Sequence, residues 1–179
     1  MTTIPARPRP GEYDPYYETY ISKVEDGSLL ATLGLLRDET AALLAGLTKA
    51  QADYRYAEGK WSLKEVIGHV ADAERIFAYR ALRIARGDET PLASFDENTY
   101  VPASGYDRRT LPDIAHEFRA VREATIALLA SFDAAAWLRL GTASGKRVSV
   151  RALGYIIAGH ERHHLGVLRE RYLSDSLIT

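Results

Sequence analysis

The chain has 179 residues, of which 46% are hydrophobic and 26% are charged, as in an ordinary globular protein. Its 23 Lys and Arg residues nearly balance its 24 Asp and Glu residues, so the formal net charge of -1 provides no field that would attract nucleic acid or anionic lipid. The sequence contains no cysteine, which excludes disulfides, zinc bound by thiolates and a thiol nucleophile of the protein's own.

The first fifteen residues contain four of the seven prolines and no apolar leader. This composition predicts an extended arm over residues 1–15 that lies on the surface. No stretch of the sequence approaches the roughly 18 apolar residues that a membrane span needs. We therefore expect a single domain over residues 1–179 in the cytoplasm, with neither a membrane nor nucleic acid as a partner.

Helical patterns begin directly after this arm. Asp14 followed by Pro15 has the form of an N-cap and a first helical position, and predicts a short helix that stops at Asp26 and Gly27. From Ser28 to about residue 47, apolar residues recur at intervals of three and four positions. This spacing predicts the first long amphipathic helix.

The second long helix has the clearest start signal in the sequence. In the segment WSLKE, Ser62 and Glu65 form a capping box, and Trp61 precedes it at a position from which it could pack on Val66. The apolar period then continues to a stop at Gly87. A helix of this extent has about 25 residues and is about 37 Å long.

The rest of the chain predicts a long connection and two more helices. Residues 88–110 have no sustained period and contain Pro and Gly, as in a functional loop or a crossover between the ends of a bundle. A third helix is predicted to start at Thr110, residues 141–146 to form a turn, and a fourth helix to run from Ser149 to about Tyr172. Because no β alternation of useful length occurs, we predict an all-α four-helix bundle with a long crossover between its second and third helices.

Three of the five histidines lie in the segment AGHERHHLGVLRERY of the fourth helix. His160 and His164 are four residues apart, hence one turn apart on the same face, with side-chain bases about 5 to 6 Å from each other. This face is otherwise apolar and is predicted to point inward, where an unpaired polar group costs about 1 to 3 kcal/mol. A shared metal ion would satisfy both imidazoles at once.

His69, in the second long helix, is the predicted third ligand. It is in phase with Val66 and Ala73, so it should point into the bundle. Three imidazoles leave coordination positions open for water or substrate, which is the pattern of a catalytic metal site. A buried histidine taken alone is more often a core residue with satisfied hydrogen bonds. His163 could replace one of the ligands, but is interpreted mainly as a supporting or surface residue.

Two glycines directly precede these histidines. Gly68 and Gly159 each lie inside a predicted helix, where glycine costs about 1 kcal/mol relative to alanine. Close approach of another segment, or space for a ligand beside the metal, would offset that cost. Helix packing without any site is the alternative explanation.

Other polar residues are candidates for roles around the metal. Glu65 and Asp72 could reach the face of His69 or form exposed ion pairs. The predicted crossover offers four side chains that could line a pocket mouth or simply cap the loop: Asp96, Glu97, Asn98 and Tyr100. The arginines of the second long helix are predicted to be a solvated series, with Arg80 as the exception on the His69 side that could bind an anionic group.

The segments WSLKEVIGHVADAERIFAYRALRIARGD, SFDENTYV and AGHERHHLGVLRERY resemble the DinB-like superfamily, and most closely its YfiT-like branch of metal-dependent hydrolases. The resemblance extends from about Tyr16 to Tyr172. It implies a four-helix bundle, often a homodimer, with a divalent metal, usually zinc or nickel, bound by His69, His160 and His164. The superfamily also includes enzymes that transfer low-molecular-weight thiols such as bacillithiol or mycothiol, and members without an established activity.

Three functions remain open. The leading hypothesis is a metal-dependent hydrolase of a small electrophilic substrate with one divalent ion per chain, because a bound ion can lower the pKa of water to about 7. The same ion could instead bind a low-molecular-weight thiol as the thiolate, and the protein would then be an S-transferase. The third hypothesis is a metal-stabilised stress-response binding module without turnover.

Overall fold

The computed structural model describes residues 6–174, so residues 1–5 of the predicted arm lie outside the described part. In chain order the elements are α1 (Glu18–Ile21), α2 (Leu29–Ala45), α3 (Lys49–Asp53), α4 (Leu63–Ala85), α5 (Glu97–Ser104), α6 (Leu111–Ala130), α7 (Ala134–Leu138), β1 (Leu140–Ala143), β2 (Lys146–Ser149) and α8 (Val150–Arg171). The long helices α2, α4, α6 and α8 are the four that the sequence predicts. They form the four-helix bundle, which confirms the predicted fold class.

Side-chain caps fix where the long helices begin. Each of the four starts after a hydroxyl side chain that accepts a hydrogen bond from a backbone N–H of the first turn: Ser28, Ser62, Thr110 and Ser149. Glu65 completes the predicted capping box by accepting from the backbone N–H of Ser62 at 2.6 Å.

Helices α4 and α6 run in the same direction. Near their beginnings, the Lys64 ammonium donates to the Asp107 carbonyl oxygen at 2.6 Å, and further along both helices Glu74 pairs with Arg122. Two consecutive parallel helices require a connection that returns along the bundle. The long crossover predicted between them is therefore confirmed.

The packing of the long helices places α2 and α4 on one diagonal of the bundle. Helix α4 packs against both α6 and α8, and α2 packs against the same two helices. Helix α1 lies against α8, outside this square of four. None of the described helices combines the length and apolar character needed to cross a membrane.

The crossover contains helical structure that was not predicted from the sequence. Residues 88–110 are not one irregular connection, since they contain α5 and a 3-10 turn over Tyr106–Arg108. Helix α5 ends at Gly105, whose φ of 70° is in the left-handed region. Two turns of helix give too few residues for a period of 3.6 to be recognised, and Pro102 inside this helix hides the pattern further.

The turn predicted at residues 141–146 is present at Ser144 and Gly145, but the two strands that flank it were not predicted. Strands β1 and β2 form an antiparallel hairpin with Ser144 and Gly145 at its tip. The hairpin also bonds to the crossover, because Leu92 N donates to the Thr142 carbonyl oxygen at 2.9 Å. Four residues per strand are too few to display a clear alternation of two in the sequence.

A buried charged group lies at the centre of the bundle. The Arg122 guanidinium donates to both carboxylate oxygens of Glu74 at 2.8 and 2.6 Å, and pairs with Glu161 at 2.5 Å. It also donates to the Leu33 carbonyl oxygen, while the Thr40 hydroxyl donates to Glu161. We call these residues the Arg122 cluster. Its members come from all four long helices.

Replacing Arg122 by methionine should lower the free energy of unfolding by about 3 to 5 kcal/mol, because two buried carboxylates then lose their counter-ion. Urea unfolding followed by circular dichroism measures the change. The matched control is Arg119→Met on the exposed side of the same helix, where the ion pair with Glu123 is about half exposed and worth less than about 1 kcal/mol. Equal small losses in both variants would contradict a stabilising pairing in the cluster.

Candidate metal centre

His69, His160 and His164 come together between α4 and α8. The Nε2 atoms of His69 and His160 are 3.2 Å apart, and those of His164 and His160 are 3.1 Å apart. One ligand nitrogen from each ring lies within 4.8 Å of the other two. The structure therefore brings together the three residues named from the sequence, and we call them the three-histidine cluster.

Helix phase explains why these side chains meet. His69 lies in the second turn of α4, whose beginning is set by the cap at Ser62. His160 and His164 follow each other by one turn on α8, and their ring centroids are 4.5 Å apart. His69 and His160 are each 6% exposed, so the cluster is at the inner surface of both helices.

Gly68 and Gly159 allow other segments to approach the cluster closely. A Cβ atom at position 159 would lie 2.0 Å from the carbonyl oxygen of Tyr20, and one at position 68 would lie 2.4 Å from the Tyr106 ring. Both distances are shorter than van der Waals contact allows, so only glycine fits at either position. The close approach predicted for these glycines is confirmed.

Burial lowers the pKa of every imidazole in the cluster. The pKa of His69 falls to about 4 and that of His164 to about 3, mainly because a charged ring would lose its hydration there. The pKa of His160 lies well below its usual value for the same reason, with a smaller effect from the neighbouring rings. All three rings are therefore neutral at neutral pH, and a neutral imidazole offers a lone pair to a ligand.

Aromatic rings hold the histidines in place. The ring centroid of Tyr20 is 5.2 Å from that of His160, and the centroid of Trp61 is 5.0 Å from that of His69. Tyr20 lies in the short helix α1 and Trp61 precedes the cap of α4, so neither lies on the apolar face of a long helix. Helical periodicity gives no signal for such contacts, and the sequence analysis did not find them.

A cavity of about 380 Å³ opens beside the cluster, within the range typical of small-molecule sites. His163 is part of its wall and packs against Tyr20 at 5.4 Å between centroids, and its ring is not one of the three that cluster. Segments outside the bundle contribute Tyr17, Tyr20, Phe95, Glu97 and Ser144. The cavity is thus formed by two long helices together with the N-terminal segment, the crossover and the hairpin tip.

Of the acidic candidates named from the sequence, Glu97 lines this cavity and acts electrostatically on His69. Glu65 is instead occupied by its capping box and by Arg55 at 2.7 Å. Asp72 pairs with Arg75 at 3.2 Å. The other crossover candidates do not line the cavity: Asp96, Asn98 and Tyr100.

The arginines of α4 have the two environments expected from the sequence. Arg75 and Arg83 form ion pairs near the surface, and Arg86, directly after the end of the helix, is exposed. Arg80 is only 2% exposed and lines the cavity. It therefore differs from the other three in being enclosed on the same side as the histidines.

Comparisons with known proteins agree with this architecture. Residues 32–168 match the profile of the DinB superfamily. The fold matches the solved structure of YfiT from Bacillus subtilis, described as a probable metal-dependent hydrolase with an unusual four-helix bundle topology, with a TM-score of 0.67 and 18% identity over 91% of this chain and 89% of that chain. None of the curated protein sequences matches the chain. Because the superfamily profile covers most of the sequence, the chain belongs to the DinB superfamily.

Proposed function

We propose that the protein is a metal-dependent hydrolase that acts on a small electrophilic substrate. The observation that supports this most directly is the convergence of three neutral imidazoles on the wall of a cavity. We propose His69, His160 and His164 as ligands of one divalent ion per chain. Imidazole nitrogen suits zinc, nickel, copper and iron alike, and we expect zinc or nickel because the resemblance to the superfamily implies them.

Two of the nitrogen–nitrogen distances in the three-histidine cluster fit such an ion, and the third nitrogen pair lies within 4.8 Å. Two nitrogens bound at about 2.0 to 2.1 Å to one tetrahedral ion lie about 3.3 Å apart. The observed Nε2–Nε2 distances are 3.2 and 3.1 Å. Without an ion, Nε2 of His160 carries either one proton or one lone pair, so it can form a good hydrogen bond with only one of its two neighbours.

Three protein ligands leave coordination positions open towards the cavity. A bound ion would supply a Lewis acid that activates a water molecule and polarises the substrate. Tyr20 and Trp61 keep the His160 and His69 rings oriented. Glu97 is the carboxylate that lines the cavity among the described residues, so we propose it as the group that accepts a proton from the attacking water.

Protein purified without a chelator or a histidine tag should contain about one divalent ion per chain by elemental analysis. His160→Ala and His164→Ala should each lose the ion, and with it the thermal stability that ion binding adds to the folded state. His116→Ala, on the exposed face of α6, is the matched control and should keep full occupancy. Full occupancy in the two cluster variants would contradict the ligand assignment.

The metal-free protein should become less stable as the pH falls from about 6.5 to about 4. Unfolded histidines have a pKa near 6.5, whereas those of His69 and His164 in the folded chain are about 4 and about 3, so the unfolded state binds more protons in this window. Urea unfolding at a series of pH values measures the effect. His69→Gln should show a shallower dependence than the wild type, and identical slopes would argue against a buried, neutral His69.

A turnover assay distinguishes the three functions considered from the sequence. Metal-loaded protein is incubated with 4-nitrophenyl acetate, with and without a panel of small thiols. We expect release of nitrophenol without thiol, because water is the proposed nucleophile. Release that requires a thiol would favour the S-transferase, and no release above background would favour the binding module.

Two variants serve as controls for this assay. His164→Ala gives the background of a protein without the ion. Glu97→Gln should retain the ion but lower the rate by about 100-fold, a typical contribution of a general base. An unchanged rate in Glu97→Gln would exclude this residue as the proton acceptor.

A further inference from the structure

Arg80 is a buried cation in the wall of the cavity. It lies three helical turns after His69 on the same face of α4, and is only 2% exposed. Its guanidinium carbon and the His160 ring centroid are each 6.0 Å from the centroid of Phe77. The guanidinium and the three-histidine cluster are therefore at most twice that distance apart, which a small molecule can span.

The partners of Arg80 are neutral. Its Nη2 donates to the Ala93 carbonyl oxygen at 2.7 Å and to the Ser144 hydroxyl at 2.9 Å, and the Tyr17 hydroxyl lies beside it. No carboxylate of residues 6–174 forms an ion pair with it. A guanidinium has five N–H donors, more than these acceptors use. Burial lowers the pKa of Arg80, the direction expected for a cation that lacks a counter-ion.

Arg122 shows how the same chain treats a buried guanidinium that has only a structural role. Its charge is balanced by two carboxylates, Glu74 at 2.6 Å and Glu161 at 2.5 Å. Arg80 has cation–π contacts with the rings of Phe77 and Phe95, which compensate only part of the cost of burying a charge. The fold thus leaves the positive charge of Arg80 unbalanced inside a cavity.

Glu97 lines the same cavity but does not neutralise this charge. Its electrostatic effects fall on His69 and Tyr20, and it makes no ion pair with Arg80. The cavity therefore has a carboxylate near the histidines and an unpaired cation near the hairpin. A bound anion would lie at the hairpin end.

The hairpin tip is held in an unusual conformation next to Arg80. Ser144 has a φ of 53°, in a region that residues other than glycine rarely adopt. Its backbone N–H donates to the Leu92 carbonyl oxygen at 2.9 Å, while its hydroxyl accepts from Arg80. The crossover, through Ala93, and the hairpin tip, through Ser144, therefore both hold the guanidinium of Arg80. The guanidinium is thus positioned before a ligand binds.

We propose that the cavity binds a small organic carboxylate with an apolar body, whose carboxylate pairs with Arg80 while its reactive group lies at the three-histidine cluster. The rings of Tyr17, Phe77 and Phe95 provide the apolar wall between the two ends. This assignment of a substrate class rests on the proposed hydrolase function. The binding of a carboxylate at Arg80 does not depend on hydrolase activity, so it can be tested by measuring affinity without turnover.

The test compares two probes of nearly equal shape, 3-phenylpropionate and its neutral analogue 3-phenylpropionamide. Calorimetric titration measures their affinities for the protein as purified and again after removal of metal with a chelator. A hydrogen-bonded charge pair should favour the carboxylate by roughly 10- to 100-fold in both preparations. Because both probes are compared on the wild-type protein, the result does not depend on whether a variant folds.

Arg80→Gln should reduce the preference for the carboxylate to less than about threefold, since the amide side chain keeps the size and some hydrogen bonds but removes the charge. Arg86→Gln, at an exposed position directly after the end of the same helix, is the matched control and should retain this preference. Circular dichroism verifies that both variants are folded.

Equal affinities for the two probes, absence of binding, or an undiminished preference in Arg80→Gln would overturn the inference. A preference that disappears on chelation but persists in Arg80→Gln would mean that the carboxylate binds the ion, which also overturns it and leaves the proposed function intact. Failure of the proposed function would instead be seen as absence of metal or of hydrolysis, with the Arg80-dependent preference unchanged.

Discussion

The Arg122 guanidinium bonds to one residue from each of the other three long helices: Leu33, Glu74 and Glu161. The arrangement of the candidate site depends on these bonds. Glu74 lies five residues after His69, and Glu161 directly follows His160. The cluster therefore fixes how far α4 and α8 are displaced along each other. A slip of one turn, about 5.4 Å, would separate ring nitrogens that now lie 3.2 Å apart.

The Arg122 cluster contributes more to the choice of one helix register than to the free energy of folding. A buried ion pair recovers little more than the cost of its own desolvation, so apolar residues could fill the same space at similar stability. An apolar core, however, would tolerate several relative positions of the helices. Charges that are satisfied in only one register exclude the others, and the three imidazoles then meet without any loop having to position them.

Buried polar groups in this chain differ in whether the protein itself balances them. The charge of Arg122 is neutralised by Glu74 and Glu161 within the fold. His69, His160 and Arg80 are buried as well, but the histidine nitrogens converge on one another and on His164, and Arg80 has only neutral acceptors. A buried polar group that the protein does not fully pair lowers the free energy of unfolding. Proteins retain such groups where a bound ligand supplies the missing partner.

The sequence predicted those features that depend on one helix at a time. The caps at Ser62 and Ser149, the inward phase of His69 and the spacing of His160 and His164 are local properties, and the structure agrees with each. The hairpin, α5 and the contacts of Tyr20 and Trp61 were missed. These depend on which segments meet in space, and their lengths are too short for a period to appear.

The buried charged residues could not be predicted from the sequence either. Glu74 and Arg122 lie on helix faces whose neighbours are apolar, and in the sequence they cannot be told from residues at the edge of a solvated face. Gly68 and Gly159 did indicate close contacts, because glycine inside a helix lowers its stability unless another interaction offsets the cost. The sequence could not say that Tyr106 and Tyr20 are the residues that approach them.

The two ends of the cavity are built in different ways, and this has a consequence for specificity. The histidines are on long helices whose register is fixed by buried charges, whereas Arg80 is held by the crossover and the hairpin tip through Ala93 and Ser144. Changes in these outer segments can reshape the end that we assign to the substrate anion without moving α4 against α8. A bundle of this kind can therefore keep the geometry of the three-histidine cluster while the other end of the cavity varies, because the two ends depend on separate parts of the chain.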